Sequence, residues 1–128
     1  MAIYDNISEC NEKYVLRIQD FDGRGPFKPG FSHNWVESRP DHMYLIPWTQ
    51  EFGRLDKKIL PGEVMGCGCK TIEQLRRWFT KKEYDKLVQF GYHSVKMKVG
   101  RIIASSDIQL VFGRLKPLKQ DFEIIELY

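Results

Sequence analysis

Apolar and polar positions alternate in two well-separated parts of the chain. In "YVLRIQDFD", Tyr14, Leu16 and Ile18 fall on one side of an extended strand, and Val15, Arg17 and Gln19 fall on the other. In "YHSVKMKV", Val95, Met97 and Val99 point inward while Lys96 and Lys98 point outward. "RIIAS" and "DIQLVFGR" continue the extended pattern, and "FEIIELY" is a last strand with Phe122, Ile124 and Leu127 inward. Between these regions the period becomes helical. Ile72, Leu75, Trp78 and Phe79 form one apolar stripe, and Tyr84, Leu87, Val88 and Phe90 form a second. Thr71 with Gln74, and Thr80 with Glu83, have capping-box spacing, and Gly91 suits a C-terminal cap. Strands at both ends with helices between them predict an α+β fold. Its parts are a small antiparallel or mixed β-sheet, two short central helices and a long ordered N-terminal loop region.

That loop region runs from Phe21 to Gly62, where periodicity fades and glycine and proline recur. Connections longer than about 12–15 residues are usually functional or disordered. Phe21, Phe27, Phe31, Trp35, Tyr44, Trp48 and Phe52 argue for order, because disordered segments are poor in aromatics. "MYLIPW" is a short strand candidate stopped by Pro47. The densest part is "GRGPFKPGFSHNW", residues 23–35, and two roles suit it: a lid over a site, or a plug at the edge of the core.

The 128 residues suit one domain, 1–128, and at 42% hydrophobic they supply a core without disulfides. No apolar run approaches the roughly 18 residues of a membrane helix. The start, "MAIYDNISECNEKYV", lacks the basic and apolar regions of a secretory signal, so a cytoplasmic location is expected. Three cysteines make an incomplete disulfide framework. Cys67 and Cys69 stand closer than zinc knuckles require, even with Cys10, His33, His42 or His93 as further ligands, so no metal is expected. They suit small buried thiols better. A net charge of +3 is too mild to mark a dedicated nucleic-acid domain. The clusters Arg76, Arg77, Lys81, Lys82, Lys86 and Lys96, Lys98, Arg101 suit a solvated helix face and a lysine-protected edge strand.

Phosphate-binding glycine loops and the serine-hydrolase elbow are absent from the sequence. What remains is an arginine inside an apolar strand, Arg17, where burial without an anionic partner is costly. A glycine-rich loop follows it, the small-residue stretch "GEVMGCGCKT" leads into a helix, and Asp107 and Gln109 sit at i and i+2 of a late strand. On one extended face those two groups line a cleft floor, or else form an ordinary half-exposed strand.

In "YVLR", "GEVMGCGCKT" and "SSDIQLVF", taken in that order, the chain resembles the small ADP-ribosyltransferase-type domains. The resemblance implies that Arg17 holds the phosphate or ribose of NAD and that Gln109 stands at the catalytic glutamate, with Asp107 beside it. Phe27, Phe31 and His33 would then stack on a base or nicotinamide ring, with Arg24 and Lys28 near phosphates. Two departures bear on activity. An amide at Gln109 supplies a hydrogen bond but no charge for an oxocarbenium-like transition state, and Gly-Cys-Gly-Cys replaces the usual Ser-Thr-Ser.

Three functions follow as expectations. The first is a small protein that binds an NAD-like or ADP-ribose-like nucleotide or blocks a host protein partner, as an inhibitor encoded by a phage or mobile element would. The alternative is an ADP-ribosyltransferase acting on a protein or nucleic acid. The third is a nucleic-acid-associated module using the basic helix face. Oligomeric state is left open by the sequence.

Overall fold

The computed structural model describes residues 13–28, 30–40 and 44–128; Cys10, Pro29, His42 and Met43 lie outside the described residues. The fold is α+β, built on two antiparallel three-stranded sheets. In the first, β1 (Lys13–Gln19) pairs with β3 (His93–Val99), which pairs with β6 (Phe122–Ile125). In the second, β2 (Val64–Gly68) pairs with β5 (Leu110–Arg114), which pairs with β4 (Arg101–Ser105). The sheets are joined where Leu16 and Cys69 exchange backbone hydrogen bonds of 2.9 and 2.8 Å.

β1 is the hub because both of its faces are covered. Val15 packs with Val95, Met97, Val99, Leu110 and Phe112, so one face of the first sheet lies on the second sheet. Leu16 and Ile18 turn the other way, into a cluster with Trp35, Leu75, Trp78, Leu87 and Leu127. Residues Val15 through Gln19 are therefore all buried, Arg17 and Gln19 included.

The helices are α1 (Trp48–Phe52), α2 (Ile72–Trp78) and α3 (Lys81–Gln89). α3 begins with a complete capping box: the Thr80 hydroxyl accepts from the Glu83 amide and the Glu83 carboxylate accepts from the Thr80 amide. It ends in a Schellman turn, with Tyr92 N–H on the Leu87 carbonyl, Gly91 N–H on the Val88 carbonyl and Gly91 at φ +92°. At α2 the box is displaced by one residue. Thr71 accepts from the Gln74 amide, but the Gln74 side chain takes the Lys70 amide, not that of Thr71.

Several expectations are corrected. "MYLIPW" is not a strand over its described residues, because Pro47 instead caps α1. Ile124 points outward and is 57% exposed, and Ile125 packs on the core in its place. β3 is the middle strand of its sheet, not an edge; Lys96 is exposed, with its ammonium 4.9 Å from the Tyr14 ring. No helix among the described residues is long and apolar enough to cross a membrane.

The entry to β2 is fixed by an ion pair. Arg101 donates to both Glu63 oxygens at 2.8 and 2.7 Å, and the Leu60 amide donates to Glu63 at 3.0 Å. A Cβ on Gly113 would come within 2.1 Å of that carboxylate, so glycine keeps its place open. The Arg101 side chain, with the Leu60 amide, pulls the Glu63 pKa down from 4.5 to about 2. A carboxylate with a depressed folded pKa stabilises the fold above its unfolded pKa, and the contribution disappears as pH falls through the folded value. Wild type should therefore lose more stability than Glu63→Gln between pH 5 and pH 2 in urea titrations. Parallel losses in the two proteins would show that the pair contributes nothing.

Candidate functional site

A cavity of about 60 Å³ opens where β1, β2, α2 and the N-terminal loop meet. Its polar lining is Arg17, Gln109 and the thiol-bearing Cys67 and Cys69; Phe27, Trp78 and Phe79 supply aromatic walls. Three segments far apart in sequence thus converge on it: the strand of Arg17, the Gly-Cys-Gly-Cys stretch, and the residue preceding β5.

Arg17 is 6% exposed. One terminal nitrogen donates to the Cys67 carbonyl at 3.0 Å and the other to the Gly23 carbonyl at 3.1 Å. Its Nε is buried without a hydrogen-bond partner. Burial pushes the guanidinium pKa below its ordinary value, against the opposing pull of Cys67 and Asp20. No carboxylate hydrogen-bonds to Arg17 among the described residues. Burial also holds the Cys67 thiol up, with Arg17 opposing, and pushes Cys69 to about 12. Both thiols are therefore neutral at physiological pH and poor nucleophiles.

The small residues of β2 have a steric cause. A Cβ at Gly66 would lie 2.8 Å from the Arg17 Nη1 and 2.6 Å from the Phe112 ring, and one at Gly68 would lie 2.7 Å from the Leu16 carbonyl. Glycine at both positions lets β1 cross close to β2 and leaves room for the guanidinium.

Gln109 is 5% exposed, and its side-chain nitrogen donates to the Ile46 carbonyl at 2.8 Å and to Glu51 Oε1 at 3.0 Å. Both neighbours are acceptors only, so the amide has a single sensible orientation. Asp107 does not join it. Ser106 accepts from the Ile108 and Gln109 amides through its hydroxyl, forming a turn, and β5 begins only at Leu110. The i, i+2 alignment is lost. Asp107 is exposed, and its carbonyl instead accepts from the Gln74 side chain.

The loop divides in the same way. Phe27 is 47% exposed and lines the cavity, edge-on to Trp35 at 4.9 Å and 5.7 Å from both Trp78 and Phe79. Trp35 is fully buried, with its indole N–H on the Pro26 carbonyl, and it is the true plug. Phe31 packs elsewhere, against Phe90 and Tyr92, with the Lys28 ammonium 5.0 Å from its ring. His33 sits exposed in a single helical turn, Ser32–Asn34. Arg24 is exposed, and only its backbone is used, closing a turn on Asp20. The structure therefore brings Arg17, Phe27 and Gln109 to one cavity and leaves Arg24, Phe31, His33 and Asp107 outside it.

Trp78, Phe79 and Glu51 escape a sequence-level search. The two aromatics read as ordinary core of α2, and nothing local ties Glu51 to Gln109. Among the described residues no group of three His, Cys, Asp or Glu side chains is arranged to hold a metal.

No curated protein and no solved structure matches the chain significantly. A family model described as the bacteriophage T4 Y00F protein matches residues 7–122. With nearly the whole sequence inside that match, the chain belongs to the bacteriophage T4 Y00F protein family.

Proposed function

We propose that this phage-family protein is a small, non-catalytic binding protein whose Arg17 cavity takes a phosphate of a nucleotide-like ligand such as ADP-ribose or NAD. The observation that carries this is the buried guanidinium of Arg17, whose Nε has no partner although it lies at a cavity walled by aromatic rings. A cation buried without a carboxylate bonded to it costs the fold free energy, and an anionic ligand offsets that cost. Phe27 would stack on the base or ribose-linked ring.

Complete ligand sites span roughly 300–1,000 Å³, so about 60 Å³ seats a phosphate group and not a dinucleotide. Phe27, half exposed on a glycine-bent loop, is the side chain that must swing aside. This gives the loop its lid role, with Trp35 as the fixed anchor behind it.

ADP-ribosyl transfer from NAD is a second reading, favoured by the convergence of the Arg17, Gly-Cys-Gly-Cys and Gln109 segments on one cavity. Against turnover, Gln109 has its amide nitrogen committed to Ile46 and Glu51, and the cavity lining contains no carboxylate.

Titration calorimetry with ADP-ribose and NAD tests the proposal. Wild type should bind, and Phe27→Ala should bind about 5- to 150-fold more weakly, the equivalent of one base–aromatic stack at ~1–3 kcal/mol. No heat from either ligand would sink the nucleotide proposal and leave partner blocking. Release of nicotinamide from NAD with ADP-ribose attached to a protein or nucleic-acid acceptor would replace the binding role with transfer, and release with free ADP-ribose would replace it with NAD hydrolysis.

A further inference from the structure

We propose that the corner between α2 and α3 binds the phosphate backbone of a single-stranded nucleic acid, at a surface separate from the Arg17 cavity. An open hollow of about 500 Å³ lies there, walled by Arg39, Arg76, Arg77, Lys81 and Tyr128, with Glu73 the one acidic side chain in its lining. Lys82 follows on the first turn of α3.

Three of these cations, Arg77, Lys81 and Lys82, stand where the fold gains little from them. A basic residue in the last turn of a helix normally serves its terminal carbonyls. At the end of α2 that task falls to Arg39, which donates to the Arg77 and Trp78 carbonyls at 2.8 and 3.0 Å. The Arg77 side chain has no ionic or hydrogen-bond partner among the described residues. Lys81 and Lys82 occupy the first turn of α3, the end at which the helix dipole disfavours positive charge. Lys81 makes only an exposed contact with Asp85 at 3.2 Å, and Lys82 makes none among the described residues. Local folding physics favours Arg77 only through the dipole of α2 and does not account for Lys81 and Lys82, whereas a polyanion suits all three.

The corner is also rigid. Glu83, fully buried, holds Arg39 at 3.1 Å while completing the capping box of α3, so the two helices meet at a fixed geometry. Arg76 is anchored by its Nε on the Leu127 carbonyl, with its guanidinium 5.0 Å from the Tyr128 ring. Tyr128 is 42% exposed beside these cations. A half-exposed aromatic next to a row of cations is the combination by which single strands are held without sequence preference.

The test is fluorescence anisotropy with a labelled 20-nucleotide single strand and a 20-base-pair duplex, across a salt series. About four phosphate contacts predict a log–log salt slope near −3 for the single strand, and hence roughly 50-fold weaker binding at 200 mM than at 50 mM salt. The variant Arg77→Gln/Lys81→Gln/Lys82→Gln should lose at least about tenfold at 50 mM and flatten the slope by about 2. Lys57→Gln/Lys58→Gln/Lys119→Gln removes the same charge from exposed sites elsewhere and should change binding less than about twofold. Equal losses in both triple variants, salt-independent binding, no binding at 50 mM salt, or equal affinity for the duplex would each overturn the proposal.

Discussion

Arg17→Met should weaken ligand binding by ~30-fold or more while leaving the fold about as stable as wild type. Methionine matches much of the arginine's length and removes a charge that no carboxylate neutralises through a hydrogen bond among the described residues. The loss is two donors, which leaves the carbonyls of Cys67 and Gly23 without their present partners. The gain is relief from burying a cation at 6% exposure. Exchanges of buried charge for an apolar side chain of similar volume are often neutral or stabilising, so the two terms should cancel to within ~1–2 kcal/mol. Binding behaves differently. Removing one side of a buried charged contact costs about 2–5 kcal/mol, a loss of ~30-fold or more in affinity. Urea unfolding and calorimetry on the same preparation separate the two quantities. An Arg17→Met protein that binds ADP-ribose like wild type would mean that the cation serves only to tie two loops together.

Trp35→Ala should produce the largest loss of stability of any single substitution in the loop. Its ring is fully buried, packs against Phe79 at 5.5 Å and Phe27 at 4.9 Å, and donates to the Pro26 carbonyl. Truncating a buried tryptophan costs about 3–5 kcal/mol, a large share of the roughly 5–15 kcal/mol that holds a typical domain. Urea unfolding followed by circular dichroism would report it without depending on the lost indole. His33→Ala and Arg24→Ala should stay within about 0.5 kcal/mol, because both side chains are exposed and neither meets the cavity. A small effect at Trp35 with a large one at His33 would invert the assignment of anchor and bystander.

The contrast within residues 23–35 shows where sequence patterning reaches its limit. Helix ends were legible because their determinants are local: Thr80 finds Glu83 three residues on, and Gly91 supplies the positive φ that ends α3. Alternation placed Val95, Met97 and Val99 correctly, and a charge inside an apolar strand singled out Arg17. Strand partners are non-local, so nothing in the sequence separates β1–β3–β6 from β2–β5–β4, or shows that β3 is central. Gly66 and Gly68 were visible as small residues, but the crossing of β1 that requires them is a tertiary fact. The Asp107–Gln109 alignment failed for a local reason: the Ser106 hydroxyl offered the backbone a turn in competition with the strand. Aromatic content pointed to packed positions in the loop, such as Trp35. It did not distinguish Phe27, at the cavity, from Phe31, packed on Tyr92.

The most direct measurement is a crystal structure of the protein grown with ADP-ribose. It should show a phosphate against the Arg17 guanidinium, with Phe27 displaced from Trp78 and stacked on the ligand. ADP-ribose bound away from Arg17, or Phe27 still seated on Trp78 over an unliganded cavity at saturating ADP-ribose, would contradict the proposed function.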